Sequence, residues 1–315
     1  MARLTDFGAT LQPLMRQVWQ GRVSMFRTRN LSVLDAFNEV YRLYSKAEAP
    51  DDNSDGDLTE FEQLLASYAE ETGFTLSAQG DFLFVHRDKV KTTHRIYLNT
   101  RSLDDRGSVA YVLMQTIKEH FARNACEFKV LKLNDNRSDN LVVYVEDASF
   151  KAVRDRLLKL DWSDCLRTAV PAGTKQLRPG MGWAEEPGVT SPTHRKRVNL
   201  LTKQVSPTLS GASFGAVVSA CVVLGLKAAQ PTEGEWDTDA NLTDFCDGVA
   251  ARLNALGVDP LKPHKAIRFD KELLAARYRE KNKDDEEMKP FLDKGTAEEL
   301  FEDAVKLHFK EKIPK

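Results

Sequence analysis

The spacing of apolar residues predicts helices over the N-terminal part of the chain. Apolar side chains recur there every three or four residues, the period of one helix face. This predicts two helices between residues 7 and 48, and a third that opens at Asp57 and Glu60, which have capping-box spacing. The apolar stripes are formed by Leu11, Leu14, Met15 and Val18, by Leu34, Phe37, Val40, Tyr41 and Tyr44, and by Phe61, Leu64, Leu65 and Tyr68.

Beyond residue 73 the pattern shortens to the alternation that is typical of strands. A strand over 95–99 places Ile96 and Leu98 on one face and Arg95, Tyr97 and Asn99 on the other. A cation, a phenol and an amide in a row suggest that this second face binds a ligand. The other predicted strands are 74–77, 81–86, 128–133 and 141–146. A polar loop is predicted over 100–106, followed by one helix, and another helix begins at Ser149.

Residues 171–205 form the longest stretch that we predict to be irregular. Residues 171–188 are too rich in Gly and Pro for a helix or a strand. A loop of this length in a compact protein is usually functional or disordered. Two of its cations, Lys175 and Arg178, lie among residues that permit close approach of a ligand to the backbone.

No charged residue occurs from Ser206 to Leu226, and Gly211 and Gly215 have GxxxG spacing. A membrane helix has both features. Because Pro207 interrupts the stretch, we expect instead a buried helix around 212–229 that packs through its small residues. Further helices are predicted over 241–256, roughly 270–281 and 296–312, the last opened by Thr296 and Glu299 at capping-box spacing.

These patterns predict an α+β fold in which an antiparallel sheet is flanked by helices. We expect an N-terminal helical cap over residues 1–72, an α+β core over 73–229 and a C-terminal helical region over 230–315, packed as one compact unit.

Composition narrows the classes of partner. The chain has 45 Lys and Arg against 47 Asp and Glu, a net charge of -2, so it lacks the basic footprint that nucleic-acid binding needs. The six histidines show no HxxxH or HExxH pairing, and no metal site is expected. Scattered cysteines without CxxC spacing predict reduced thiols and a cytoplasmic location. They are Cys126, Cys165, Cys221 and Cys246.

Three blocks of sequence resemble the HopA-type effector family, first met as type III secreted effectors. Residues 95–99 (RIYLN) are similar to the family's R-x-Y-x-N strand, and residues 184–188 (AEEPG) and 213–215 (SFG) are similar to its next two blocks. The likeness covers about residues 73–229. The chain departs from the family where residues 216–218 are apolar in place of an arginine, and where it carries an insertion between the last two blocks.

The resemblance implies one of two functions. Some family members lie beside a kinase-like protein in pathways that make ribosomally synthesised, modified peptides (RiPPs) such as lanthipeptides. There the kinase phosphorylates Ser or Thr, and the HopA-like protein eliminates the phosphate to leave a dehydroamino acid, in parallel with phosphothreonine lyases. The implied partners are a phosphorylated precursor peptide and a separate kinase, with no cofactor, nucleic acid or membrane. The alternative is a non-catalytic effector or scaffold that binds a phosphopeptide, a leader peptide or the kinase.

Elimination of phosphate needs a base for the α-proton, a proton donor for the leaving group and cations for the phosphate. Arginine suits the last role because its planar fork binds phosphate oxygens in pairs. We expect Arg95 and Arg178 to bind the phosphate and Asn99 to orient the peptide. The supporting candidates are Lys175, Arg101 or Arg106 for the phosphate, His94 or Tyr97 for the leaving group, and Lys91 or Lys89 as the base.

Each candidate also has a purely structural interpretation. Arg95 can pair with Glu185 or Glu186. His94 shares the face of Ile96 and Leu98, which suits a buried residue at the edge of the core. A catalytic site predicts that the two arginines converge with a Lys or His on one cleft, whereas a scaffold predicts cations that are scattered or paired.

Overall fold

The computed structural model divides the chain into two compact units. One unit is Tyr41–Glu186, and the other combines Met1–Val40 with Pro187–Lys315. The predicted division into three regions stays a prediction. The structure describes residues 2–22, 32–46, 58–133, 137–162, 164–188, 192–205, 213–229, 239–266 and 271–285, with a few further residues up to 304. Asp57, most of the predicted 296–312 helix and the Gly211 end of the GxxxG pair lie outside the described residues.

Most predicted helices and strands form close to their expected positions, but a helix begins at Leu103, within the stretch 100–106 that was predicted as a polar loop. The strands are β1 (Thr75–Gln79), β2 (Phe82–His86), β3 (His94–Leu98), β4 (Cys126–Leu131), β5 (Leu141–Val145), β6 (Lys175–Arg178) and β7 (Met181–Glu185). The helices are α1 (Gln12–Arg22), α2 (Val33–Tyr44), α3 (Leu58–Thr72), α4 (Leu103–His120), α5 (Phe150–Lys159), α6 (Pro192–Val205), α7 (Phe214–Ala228), α8 (Asp239–Ala255) and α9 (Lys271–Lys281).

The seven strands form one antiparallel sheet, which confirms the α+β prediction. Their order is β1-β2-β4-β5-β3-β7-β6. The predicted strand at 95–99 is therefore an interior strand, since β3 pairs with both β5 and β7. In this register Arg95 lies opposite Tyr144 of β5 and Ala184 of β7.

The two faces of the sheet have different chemistry. One face packs on α3, α4 and α5 in a continuous apolar core that includes Ile96, Phe128 and Val143. We call this the helix-covered face. Because side chains alternate along a strand, the other face carries Arg95, Tyr97, Lys129 and Tyr144, and we call it the tyrosine-lined face. The predicted separation of Ile96 and Leu98 from Arg95 and Tyr97 is thus confirmed.

The irregular structure that we predicted for residues 171–205 is wrong. A hairpin, β6–β7, forms within it, and helix α6 follows. The two residues between the strands are Pro179 and Gly180, and Gly180 has a φ of 70°. Proline followed by a residue with positive φ is the chemistry of a tight turn, so the Gly and Pro mark the turn of a hairpin.

The apolar stretch that includes residues 214–226 forms a buried helix, as predicted. Thirteen residues of α7 are buried, and no helix among the described residues is long and apolar enough to cross a membrane. It approaches α8 closely at Gly225, where a Cβ would lie 2.9 Å from the backbone nitrogen of Val249. A small residue does permit the close packing of the two helices, but that residue is Gly225, which lies outside the GxxxG pair.

Candidate functional site

Arg95 is at the centre of the tyrosine-lined face. Its side chain is 15% exposed, and its guanidinium carbon lies 4.7 Å from the centre of the Tyr144 ring. Its Nε forms an ion pair with the carboxylate of Glu186. Glu186 comes just after β7, and its backbone nitrogen donates to the Thr93 carbonyl. The predicted structural interpretation, that Arg95 pairs with a glutamate of the 184–188 block, is confirmed.

Four tyrosines surround this guanidinium. Tyr97 and Tyr144 come from the sheet, and Tyr41 and Tyr44 come from the end of α2. Burial raises the pKa of all four phenols, to about 12 for Tyr144. They are therefore protonated donors at neutral pH. Burial alone would lower the pKa of Arg95, but the surrounding phenols outweigh it and the pKa is raised.

A second cation, Arg137, lies beside Tyr41, one of these four tyrosines. Its Nε and Nη2 donate to the two oxygens of Asp139 at 2.8 and 2.9 Å. Its guanidinium carbon is 5.6 Å from the centres of the Tyr41 and Phe82 rings. The segment is held against α2 because Ser138 donates two hydrogen bonds to the Ser45 carbonyl, from its backbone nitrogen and its hydroxyl.

The third cation is Lys129 of β4. Its Nζ lies 3.6 Å from the centre of the Phe82 ring. Burial lowers the pKa of Lys129 to about 8, a shift that Asp139 opposes and that Arg95 and Arg137 reinforce. This lysine is the amine on the tyrosine-lined face whose neutral form is accessible near physiological pH.

These groups comprise three cations and two carboxylates, which leaves an excess of one positive charge. Three cations lie in an aromatic setting of low polarity, where charge-assisted hydrogen bonds are stronger than in water. Two carboxylates, Asp139 and Glu186, pair with the two arginines. A phosphate dianion would bring acceptor oxygens to the same donors, with the tyrosine hydroxyls as additional donors.

His94 lies on the opposite, helix-covered face. It is 4% exposed, and its ring stacks on Phe150 with centroids 4.0 Å apart. Its Nδ1 is 2.9 Å from the Thr93 hydroxyl, and its Nε2 is 3.7 Å from a carboxylate oxygen of Glu185. The sheet therefore separates His94 from Arg95, and its backbone position matches the structural interpretation of a buried residue at the edge of the core.

Three further candidates hold backbone segments in place. Arg106 is 1% exposed and donates to the carbonyls of Leu131 and Leu133 at 2.7 and 2.8 Å. Arg101 donates to the Leu166 carbonyl, and the amide of Asn99 donates to the Ala169 carbonyl at 2.9 Å. Their predicted roles toward a substrate stay predictions.

The remaining candidates do not converge with Arg95. Arg178 donates to the Leu160 carbonyl at the end of α5, on the side of the helix-covered face, and Lys175 is exposed on the edge strand β6. Lys89 and Lys91 are exposed on the segment before β3. The predicted meeting of Arg95 and Arg178 in one cleft is therefore wrong, because the sheet lies between them.

Lys129, Arg137 and the α2 tyrosines were missed by sequence reasoning. Lys129 did leave a signal, since it alternates with the apolar residues Phe128 and Val130 in a predicted strand. The pairing that brings it beside Arg95 is not visible in the sequence. No group of three or more His, Cys, Asp or Glu among the described residues is arranged to hold a metal ion.

The chain is similar to bacterial effector proteins. The model of the HopA1 effector protein family matches residues 68–198, which include strands β1 to β7, and this match confirms the resemblance. No curated protein matches the chain.

Two solved structures share its fold. An effector from Pseudomonas syringae pv. tomato strain DC3000 superposes with a TM-score of 0.51 at 14% identity, covering 83% of this chain and 98% of that one. An effector from Pseudomonas syringae pv. syringae strain 61 gives a TM-score of 0.52 at 14% identity, covering 84% and 100%. At this identity the likeness concerns the fold alone.

Proposed function

We propose that the protein is a lyase that eliminates phosphate from phosphoserine or phosphothreonine in a precursor peptide, leaving a dehydroamino acid. The observation that carries this proposal is the position of Arg95, held among four tyrosines on one face of the sheet. The guanidinium belongs to the R-x-Y-x-N strand on which the family resemblance rests. An anion bound there exchanges one carboxylate partner, Glu186, for phosphate oxygens.

The chemistry assigns Arg95 and Tyr97 complementary tasks. Arg95 holds the phosphate dianion and stabilises the charge that develops as the carbon–oxygen bond breaks. Tyr97 lies two residues further along the same face of β3 and keeps its proton because burial raises its pKa. The hydroxyl is therefore in its donor form at neutral pH and can hydrogen-bond and protonate the strongly basic phosphate trianion as it departs. Neither task requires a metal or an organic cofactor.

The substrate defines the partner. A phosphorylated precursor peptide must first be made by a kinase, so the proposal includes a separate kinase-like protein in a RiPP pathway. The dehydroamino acid product is an electrophile, which a later cyclisation step would consume. The proposed setting is cytoplasmic, where a ribosomal peptide and ATP are both present.

The first test is mass spectrometry of a phosphoserine peptide and a phosphothreonine peptide incubated with the full chain. We expect loss of phosphoric acid from both. Arg95→Met should abolish the loss, whereas Arg123→Ala should not, because Arg123 is an exposed arginine that pairs with Asp88. Retained elimination by Arg95→Met would overturn the assignment of Arg95.

Removal of Arg95 alone leaves the buried carboxylate of Glu186 without its partner, which is strongly destabilising. The double variant Arg95→Met with Glu186→Gln removes both charges and serves as the folded comparison. Loss of activity in both variants, with a normal circular dichroism spectrum in the double variant, separates a lost phosphate site from a lost fold.

A second function is favoured by the ion pairs Arg95–Glu186 and Arg137–Asp139. Paired cations are expected in a protein that only binds its ligand, because binding then needs only the exchange of a carboxylate for a phosphate group. In that case the phosphopeptide binds, Arg95→Met weakens the binding, and no phosphate is lost even when the kinase is present. Isothermal titration with the same peptides distinguishes the two functions.

A further inference from the structure

We propose that Lys129, and neither Lys91 nor His94, is the base that removes the α-proton of the phosphorylated residue. This inference rests on the proposed lyase function and deepens it. It starts from the position of Lys129 on the same face of the sheet as Arg95 and Tyr97.

The strand register fixes that position. Lys129 lies opposite Val142 of β5, and Val142 lies opposite Tyr97 of β3. Lys129 and Tyr97 are therefore directly across β5 from each other, about 10 Å apart between backbones. The side chains of Lys129, Tyr97 and Arg95 thus share one part of the tyrosine-lined face.

The surroundings of the amine favour its neutral form. Its Nζ sits over the Phe82 ring, and the charged groups that act on it are Asp139, Arg95 and Arg137. The two arginines disfavour a third positive charge, while Asp139 is shared with Arg137 through a bidentate pair. With a pKa of about 8, about a tenth of the amine is neutral at pH 7, against roughly 0.03% for an ordinary lysine.

The other candidates are less suited to the same proton. His94 is on the helix-covered face and stacks on Phe150. Lys91 is exposed to solvent before β3 begins. Glu186 and Asp139 each already pair with an arginine.

The reaction balances with these groups alone. The neutral Nζ of Lys129 takes the proton from the α-carbon, and the electron pair of that carbon–hydrogen bond forms the double bond between the α- and β-carbons. The bond from the β-carbon to the phosphate oxygen breaks with its electron pair. The leaving phosphate takes a proton from the Tyr97 hydroxyl, and the proton on Lys129 returns through solvent to the phenolate.

The direct test compares Lys129→Met with the matched control Lys132→Met. Lys132 comes just after β4, is also partly buried and pairs with Glu62. We expect Lys129→Met to lower kcat by about 100-fold or more, as removal of a general base does, while phosphopeptide binding changes less than tenfold. Lys132→Met should keep the wild-type rate. Wild-type activity in Lys129→Met would overturn the inference and leave the lyase proposal intact.

Chemical rescue separates a base from a structural lysine. Lys129→Ala should regain activity when small primary amines are added, and the wild-type rate should rise with pH to a plateau above about 8. A structural role predicts no rescue. Failure of rescue together with an unchanged pH profile in Lys129→Arg would also overturn the inference.

A final measurement does not depend on elimination. Competitive labelling with a trace of acetic anhydride at pH 7.5 reports the neutral fraction of each lysine. We expect Lys129 to react at least tenfold more readily, per unit of exposure, than Lys132. Equal reactivity would overturn the role of Lys129, whereas a reactive Lys129 in a protein that never eliminates phosphate would overturn the lyase function and, with it, the role of Lys129 as its base.

Discussion

At the scale of single residues, the tyrosine-lined face buries charged side chains, which costs free energy. Arg95 and Arg137 are compensated by carboxylates, but Lys129 has an aromatic ring as its nearest described contact. Removal of a charge from water is costly unless a partner compensates it. The protein therefore carries a lysine that is easier to deprotonate and that lowers the stability of the fold.

Lys129→Met should stabilise the protein at pH 7 by about 1 kcal/mol. Because the folded pKa lies below the unfolded value, the unfolded chain binds more protons between about pH 8 and 10.5, and wild-type stability rises with pH in that window. The advantage of the variant should therefore be full below pH 8 and fade as the pH approaches 10.5. Urea unfolding at pH 7 and at pH 10 measures this, and a pH-independent difference would contradict it.

At the scale of elements, the β6–β7 hairpin places Glu186 beside Arg95. Its turn is held tightly, since Gly180 donates to the Thr168 carbonyl and accepts from the Asn99 backbone nitrogen, both at 2.9 Å. Correct geometry of this turn extends β7 alongside β3 and continues the ladder to Glu186, whose backbone nitrogen donates to the Thr93 carbonyl.

Gly180→Ala should destabilise the unit Tyr41–Glu186 by about 3 kcal/mol or more, because strain and overpacking add. A Cβ at Gly180 would lie 2.7 Å from Cβ of Leu166. The matched control is Gly80→Ala, since Gly80 also has a positive φ but nothing within 4 Å of a Cβ. It should cost about 1 kcal/mol, from the backbone alone. Unfolding followed by the fluorescence of Trp162 and Trp183 compares them, and equal costs would contradict the close approach.

At the scale of the whole molecule, the candidate site belongs to one compact unit. The residues of the tyrosine-lined face all fall within the unit Tyr41–Glu186. Tyr41 and Glu186, which contribute to the candidate site, are the first and last residues of that unit. The family match over residues 68–198 covers most of the same unit. The other unit has its own buried elements, with α7 packed closely on α8 at Gly225.

Calorimetry should show two unfolding transitions, because each unit has a core of its own. Gly225→Ala should lower the midpoint of the transition of its own unit, Met1–Val40 with Pro187–Lys315, by several degrees. The midpoint of the other transition should change by no more than about one degree. A Cβ at Gly225 would overlap the Val249 backbone. The reverse pattern is expected for Gly180→Ala. A single transition that both variants shift equally would contradict independent units.

The sequence by itself determined the positions of most elements and the two faces of β3. Helical and strand periods are local, because they reflect which side chains of one segment are buried together. This is why α3 and α7 are found where they were predicted, and why Arg95 and Tyr97 share a face. Residues 171–205 are the exception, because the glycine and proline of a hairpin turn are equally typical of an irregular loop.

Only the tertiary structure decided which residues meet Arg95. Lys129, Arg137 and Tyr41 come from distant segments, and strand order depends on the packing of the whole sheet rather than on any one pattern. The hairpin pairing likewise put Arg178 on the opposite side, whereas the face of His94 already follows from the alternation along β3. A sequence shows which side chains share a strand face, but only the paired sheet shows which strands lie side by side, and the candidate site depends on that arrangement.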